Sequence, residues 1–186
     1  DIGLVPNSLR APLNAPTYYD RMQPQAELRR EILEVAWNAG DRTLRDTKLL
    51  NASIQHNDAS IRYWAAVGLT RLAYEGADTQ EVSRWARTML SDPEGHVRVA
   101  AAEALCALGE SDAISILLSA VRDQPNAAGR EALAAIETLG PQRAAAAKDP
   151  LASMESARST FFLRSALITL GQLPYEQLFR PGTQVE

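Results

Sequence analysis

The side chains of this chain that could do chemistry are few and far apart. Its one cysteine, Cys106, sits in "AAAEALCALG" among small apolar residues, which fits a packed thiol with no second cysteine for a disulfide or a thiolate metal site. The only histidines, His56 and His96, lie 40 positions apart in equivalent inter-helix turns. Neither has a carboxylate or thiol at ligand spacing on its own helix face. Glu103, Glu110, Glu131 and Glu137 fall where an exposed helix face is expected, and read as solvated charges. There is no glycine-rich phosphate loop, and no nucleophile, base and orienting residue can be grouped. The sequence therefore proposes no catalytic residue, no metal ligand and no cofactor.

What remains is "DASIRYWAAVGLTRLA", residues 58–73, where Arg62, Tyr63 and Trp64 stand side by side. Arg62 follows Asp58 by a few residues, as Arg98 follows Asp92. A half-buried guanidinium needs a partner, so these four are expected to bond within or between neighbouring units as a structural ladder. Trp64, with Gly68 one turn on, is expected to pack toward the helix of residues 25–39. Tyr63, Val67, Thr70 and Tyr74 share another face, with Val99, Arg130 and Phe161 at positions matching Tyr63 further along. That row is expected either to dock a partner or to be covered by a neighbouring domain.

The elements that must position these residues repeat. "SIRYWAAVGLTRL", "HVRVAAAEALCAL", "AAGREALAAIETL" and "RSTFFLRSALITL" begin at residues 60, 96, 127 and 158. Their apolar positions recur at i, i+4, i+8 and i+11, one face of an α-helix: Ile61, Ala65, Leu69 and Leu72; Val97, Ala101, Leu105 and Leu108; Ala128, Ala132, Ile136 and Leu139. The fourth copy is weaker, with Ser159, Leu163, Leu167 and Leu170. Leu-Gly pairs at 108–109, 139–140 and 170–171 supply helix stops, and Gly76 stops the first copy later. Partner helices lie between, with Asp41, Asp78 and Asp112 as expected N-caps. Residues 25–39 add a leading helix.

Bulk composition agrees with this. The chain holds 186 residues and is 46% apolar, which excludes disorder, and its 31 alanines suit closely packed helices. A net charge of −4 argues against a nucleic-acid binder, including a helical-repeat DNA glycosylase. No apolar run is long enough to span a membrane, so no membrane partner is expected, and residues 1–24 lack signal-peptide organisation. An opening of "DIGLVP" is expected of a cut-out or processed piece. Two-helix units of this length cannot bury their apolar faces alone. The fold expected is all-α, a right-handed α-solenoid of about four two-helix repeats over 25–173, with an extended segment over 1–24 and a tail over 174–186.

"DPEGHVRVAAAEALCALGE" and "NDASIRYWAAVGLTRLA" closely resemble HEAT repeats of the short bacterial type, with fainter copies near 126 and 158. The resemblance implies a binding or scaffolding module with a protein partner. More narrowly, "DIGLVPNSL", Tyr18-Tyr19, "LRREILEVAW" and "IRYWAAVGL" look like the C-terminal extension of bacterial sulfatases of the alkaline-phosphatase type. That implies a noncatalytic tail of a larger hydrolase, periplasmic or extracellular, whereas a free-standing adaptor would be cytoplasmic. As a tail, it should leave Leu4, Val5, Tyr18 and Tyr19 partly exposed or poorly ordered in the isolated fragment. The sulfatase nucleophile motif is missing: Cys106 is followed by Ala107 and Leu108, where that family places proline two residues on.

Overall fold

Each apolar stripe becomes the buried side of a helix. A computed structural model of the chain describes residues 26–41, 46–76, 79–123, 127–157 and 160–178. Over these residues the chain is all-helical: α1 (Ala26–Gly40), α2 (Thr47–Ser53), α3 (Ala59–Tyr74), α4 (Thr79–Met89), α5 (Gly95–Ala107), α6 (Ile114–Asp123), α7 (Ala127–Arg143), α8 (Lys148–Ala157) and α9 (Phe161–Thr169). Helices α1, α3, α5, α7 and α9 stack in chain order, and α2, α4, α6 and α8 pack against them, giving the two layers of an α-solenoid. Leu4, Val5, Tyr18, Tyr19, the Asp78 cap, Ser159 and the tail beyond residue 178 lie outside the described residues.

The stripe residues Ile61, Ala65, Leu69 and Leu72 of α3, Val97, Ala101 and Leu105 of α5, and Ala128, Ala132, Ile136 and Leu139 of α7 are all buried. Alanine at so many contact positions leaves little side-chain volume between helices, so backbones come close. At one crossing even alanine is too large. A Cβ placed on Gly68 would lie 2.7 Å from Leu50 Cδ2, and Leu50 is itself fully buried. Gly68 thus makes room for Leu50 of α2; Trp64 is half-buried, its ring edge-on to Tyr63 at 5.5 Å.

Helix ends follow the turn chemistry with two corrections. Asp58 and Thr160 cap α3 and α9 through the amides of Ser60 and Leu163. The cap of α2 is Asp46, which accepts from Leu49 N at 3.0 Å, whereas the Asp41 amide closes α1 on the Trp37 carbonyl. Buried Asn38 selects that start by bonding both backbone groups of Asp46. Asp112 lies inside a 3-10 turn, Ser111–Ala113, that leads into α6, and so does not cap it. Gly76, Gly109, Gly140 and Gly171 all have positive φ, the left-handed conformation that ends a helix. After Gly109 and Gly171 the next amide reaches back to the carbonyls of Leu105 and Leu167.

The repeats are also joined by charge. Arg62 Nε and Nη2 donate to the two oxygens of Asp92 at 2.6 and 3.0 Å, across to the next repeat, and Asp92 Oδ1 also accepts from Glu94 N at 2.9 Å. The fork raises the Arg62 pKa further, chiefly through its hydrogen bond to Asp92. Nη1 of Arg62 donates to the carbonyls of His56 and Asn57, and Nη1 of Arg98 does the same to Asp92 and Pro93. Each arginine therefore closes the turn before its own helix. A pair that the sequence analysis missed, buried Arg164 with Glu155, ties α9 to α8.

Two measurements follow from these contacts. Asp92→Asn is expected to lower unfolding free energy by about 3 kcal/mol in urea titration, because a guanidinium only 12% exposed loses its counter-charge; a loss below about 1 kcal/mol would mark the pair as a surface bridge. Gly109→Ala should cost about 1–2 kcal/mol, although nothing lies within 4 Å of its added Cβ. Gly40→Ala, equally uncrowded but without positive φ, should instead gain about 0.5 kcal/mol.

Candidate functional site

An open groove of about 690 Å³ runs along the α3, α5 and α7 row. Tyr63, Val67, Thr70, Arg71 and Tyr74 line it from α3, Glu75 from the C-cap of that helix, Ala100 and Glu103 from α5, and Glu131 from α7. Its floor depends on a small residue. Ala100 is buried on α5, and with no larger side chain there Tyr63 of α3 reaches over α5 to α7.

There the Tyr63 hydroxyl donates to Glu131 Oε1 at 2.9 Å. The second oxygen of the same carboxylate, Oε2, is bound by Nδ1 of His96 at the start of α5. Because a carboxylate only accepts, Nδ1 carries the proton. The Tyr63 and His96 rings meet edge-on with centroids 6.2 Å apart. One carboxylate thus links three successive long helices. At the other end of the groove the Tyr74 hydroxyl donates to Glu103 Oε1 at 3.2 Å, and the Arg143 guanidinium lies over the Tyr74 ring, 5.8 Å from its centroid. Between them Thr70, buried, donates to the carbonyls of Ala66 and Ala100.

The electrostatics give the groove acceptors and ring faces. Burial first, then Glu131, pushes the Tyr63 phenol up; burial first, then Glu103, does so for Tyr74. Both stay protonated at neutral pH and hold the carboxylates they bond. Burial, aided by the charge of Glu131, lifts Glu103 above the ordinary carboxylate range against the hydrogen bond from Tyr74. Cys106 is buried and pushed up to about 12, chiefly by burial, so it is a packed thiol. Among the described residues no group of three His, Cys, Asp or Glu side chains could hold a metal ion. The arrangement can bind a donor or a cation against tyrosine faces and fixed acceptor oxygens.

The residues expected to form a surface are only partly brought together. Tyr63, Val67 and Tyr74 line the groove. Val99 does not: it is 1% exposed, buried on α5, which packs against α3, α7, α4 and α6. Arg130 is exposed outside the groove, and half-buried Phe161 stands in α9 against Phe162. Glu103 and Glu131, read from sequence as solvated charges, are half-buried partners of the two tyrosines, and Glu110 pairs with Arg87 of α4. The missed signal was the register. Glu131 lies one residue past Arg130, the equivalent of Tyr63 two repeats on.

Residues 47–135 match the family model for HEAT repeats. This stretch, just under half of the chain, is similar to HEAT repeats. The HEAT-like stretch contains every residue that lines the groove, and its match carries no link to sulfatases. No curated protein matches the chain. Among the described residues no helix is long and apolar enough to cross a membrane.

The His96 contact gives the fold a pH dependence of known sign. Its hydrogen bond to Glu131 raises the His96 pKa above the ordinary 6.5, with burial opposing. A pKa raised on folding contributes stability that is fully present below the unfolded value and is lost as pH climbs through the folded one. In urea unfolding, the deficit of His96→Gln relative to wild type should be largest near about pH 6 and shrink by about pH 9. A deficit that stays constant over that range would mean that the contact has no ionic component.

Proposed function

We propose that this chain is a protein-interaction module, carried by the helical-repeat unit of residues 25–173, and that the groove over α3, α5 and α7 is its contact surface. Tyr63, Val67 and Tyr74 are the contact residues, with Val99 now excluded from the surface; Arg62, Arg98, Asp58 and Asp92 hold the turns. The observation that carries this reading is the pinning of Tyr63 and Tyr74, each phenol tied to a carboxylate on a neighbouring helix. Tyrosines fixed before binding lose little entropy when a partner arrives, and aromatic residues of this kind dominate binding energy at interfaces. HEAT-like repeats, which commonly serve protein interactions, fit the same role. Attachment to a sulfatase-type catalytic domain rests on the resemblance of "DIGLVPNSL" and its neighbours alone, and the groove serves as a contact surface with or without such a domain.

A photo-crosslinking residue tests this. With p-benzoylphenylalanine at Val67, irradiation in soluble extract of the source cells should give a discrete adduct, while the same residue at exposed Arg84 of α4 should not. Adduct formation that is equal from both positions, or absent from Val67 in a variant with unchanged unfolding midpoint, would overturn the assignment.

A further inference from the structure

Resting on that reading, the groove's own chemistry narrows what it takes. Three carboxylates, Glu75, Glu103 and Glu131, line it against the guanidinium of Arg71, which donates through Nη1 to the Asp41 carbonyl. Glu103 receives its hydrogen bond from a neutral phenol, and Glu131 is near enough to act on it as a second negative charge. A half-buried carboxylate in that position gains from an incoming cation. The ring of Tyr74 already shows which cation fits, since Arg143, exposed at the end of α7, places its guanidinium over it.

We infer that the groove binds a basic, extended protein segment by seating an arginine side chain on the Tyr74 ring against the Glu103 carboxylate, and that Arg143 occupies part of this place from within the chain. An acidic segment or a nucleic-acid backbone would meet like charge here. An apolar helix would strip water from Glu103 and Glu131 without replacing it. A guanidinium satisfies both carboxylate and ring, and its flat face can stack on an aromatic ring.

The test uses the whole chain and a short fluorescein-labelled peptide of alternating glycine and arginine, with its glutamate counterpart as control, read by fluorescence anisotropy. Expected are binding of the arginine peptide alone, weakening with added salt, about tenfold weaker binding in Glu103→Gln, and about threefold tighter binding in Arg143→Gln. Glu81→Gln, on α4 in the other layer, should leave the affinity unchanged. The opposite signs of the two groove variants matter, because a merely structural Arg143 gives no gain when removed. Equal binding of both peptides, or the same affinity in Glu103→Gln and Arg143→Gln as in wild type, overturns the inference. Absence of peptide binding alongside a specific adduct from position 67 overturns the cation class and leaves the contact surface standing; absence of both removes the two together.

Discussion

Everything in this chain depends on α5 being enclosed. The helix is packed between α3 and α7 in the long-helix row and against α4 and α6 behind it, and Val97, Ala101, Ala102, Ala104 and Leu105 have no exposed surface. Burial of this degree is possible only because so many of its residues are alanine, whose small side chains let neighbouring backbones approach. With the approach so close, side chains from α3 can touch those of α7, two repeats away. The Tyr63 to Glu131 hydrogen bond, and the groove whose floor is Ala100, are consequences of that packing.

The polar contacts divide into two kinds with different consequences. Arg62 and Asp92 are nearly buried and fully used, by each other and by the backbone of the turns they close, and so they fix the relation of one repeat to the next. The Glu103 and Glu131 pairs lie in an open groove, Glu103 bonded to a phenol and Glu131 to a phenol and His96. A carboxylate whose hydrogen bond comes from a neutral phenol, as at Glu103, gets no counter-charge from that contact, which leaves attraction for a cation from outside the chain. The solenoid thus rests on the first kind, and presents the second kind at its surface.

The repeat itself was legible because a helix face with a 3.6-residue period and a left-handed glycine at its end are local properties. The stripe of α3 and the stop at Gly109 follow from neighbours in sequence alone. The helix starts were less legible: Asp41 and Asp46 are both good caps, and the helix starts at Asp46, whose backbone groups bond the Asn38 side chain. The same limit hid Val99, whose position repeats that of Tyr63 but which is 1% exposed.

The sequence by itself determined an all-α chain of repeated two-helix units, the turn arginines and the tyrosines of α3, since each is written within one or two helical turns. Only the tertiary structure decided which carboxylates those tyrosines meet, that His96 joins Glu131, and that Arg143 returns to cover Tyr74. These partners are 29 to 68 residues apart for the two phenols. No periodicity encodes such pairs, because they are set by how far one helix row slides and rotates on the next, and that is fixed by the packed volumes of alanine, glycine and leucine between them.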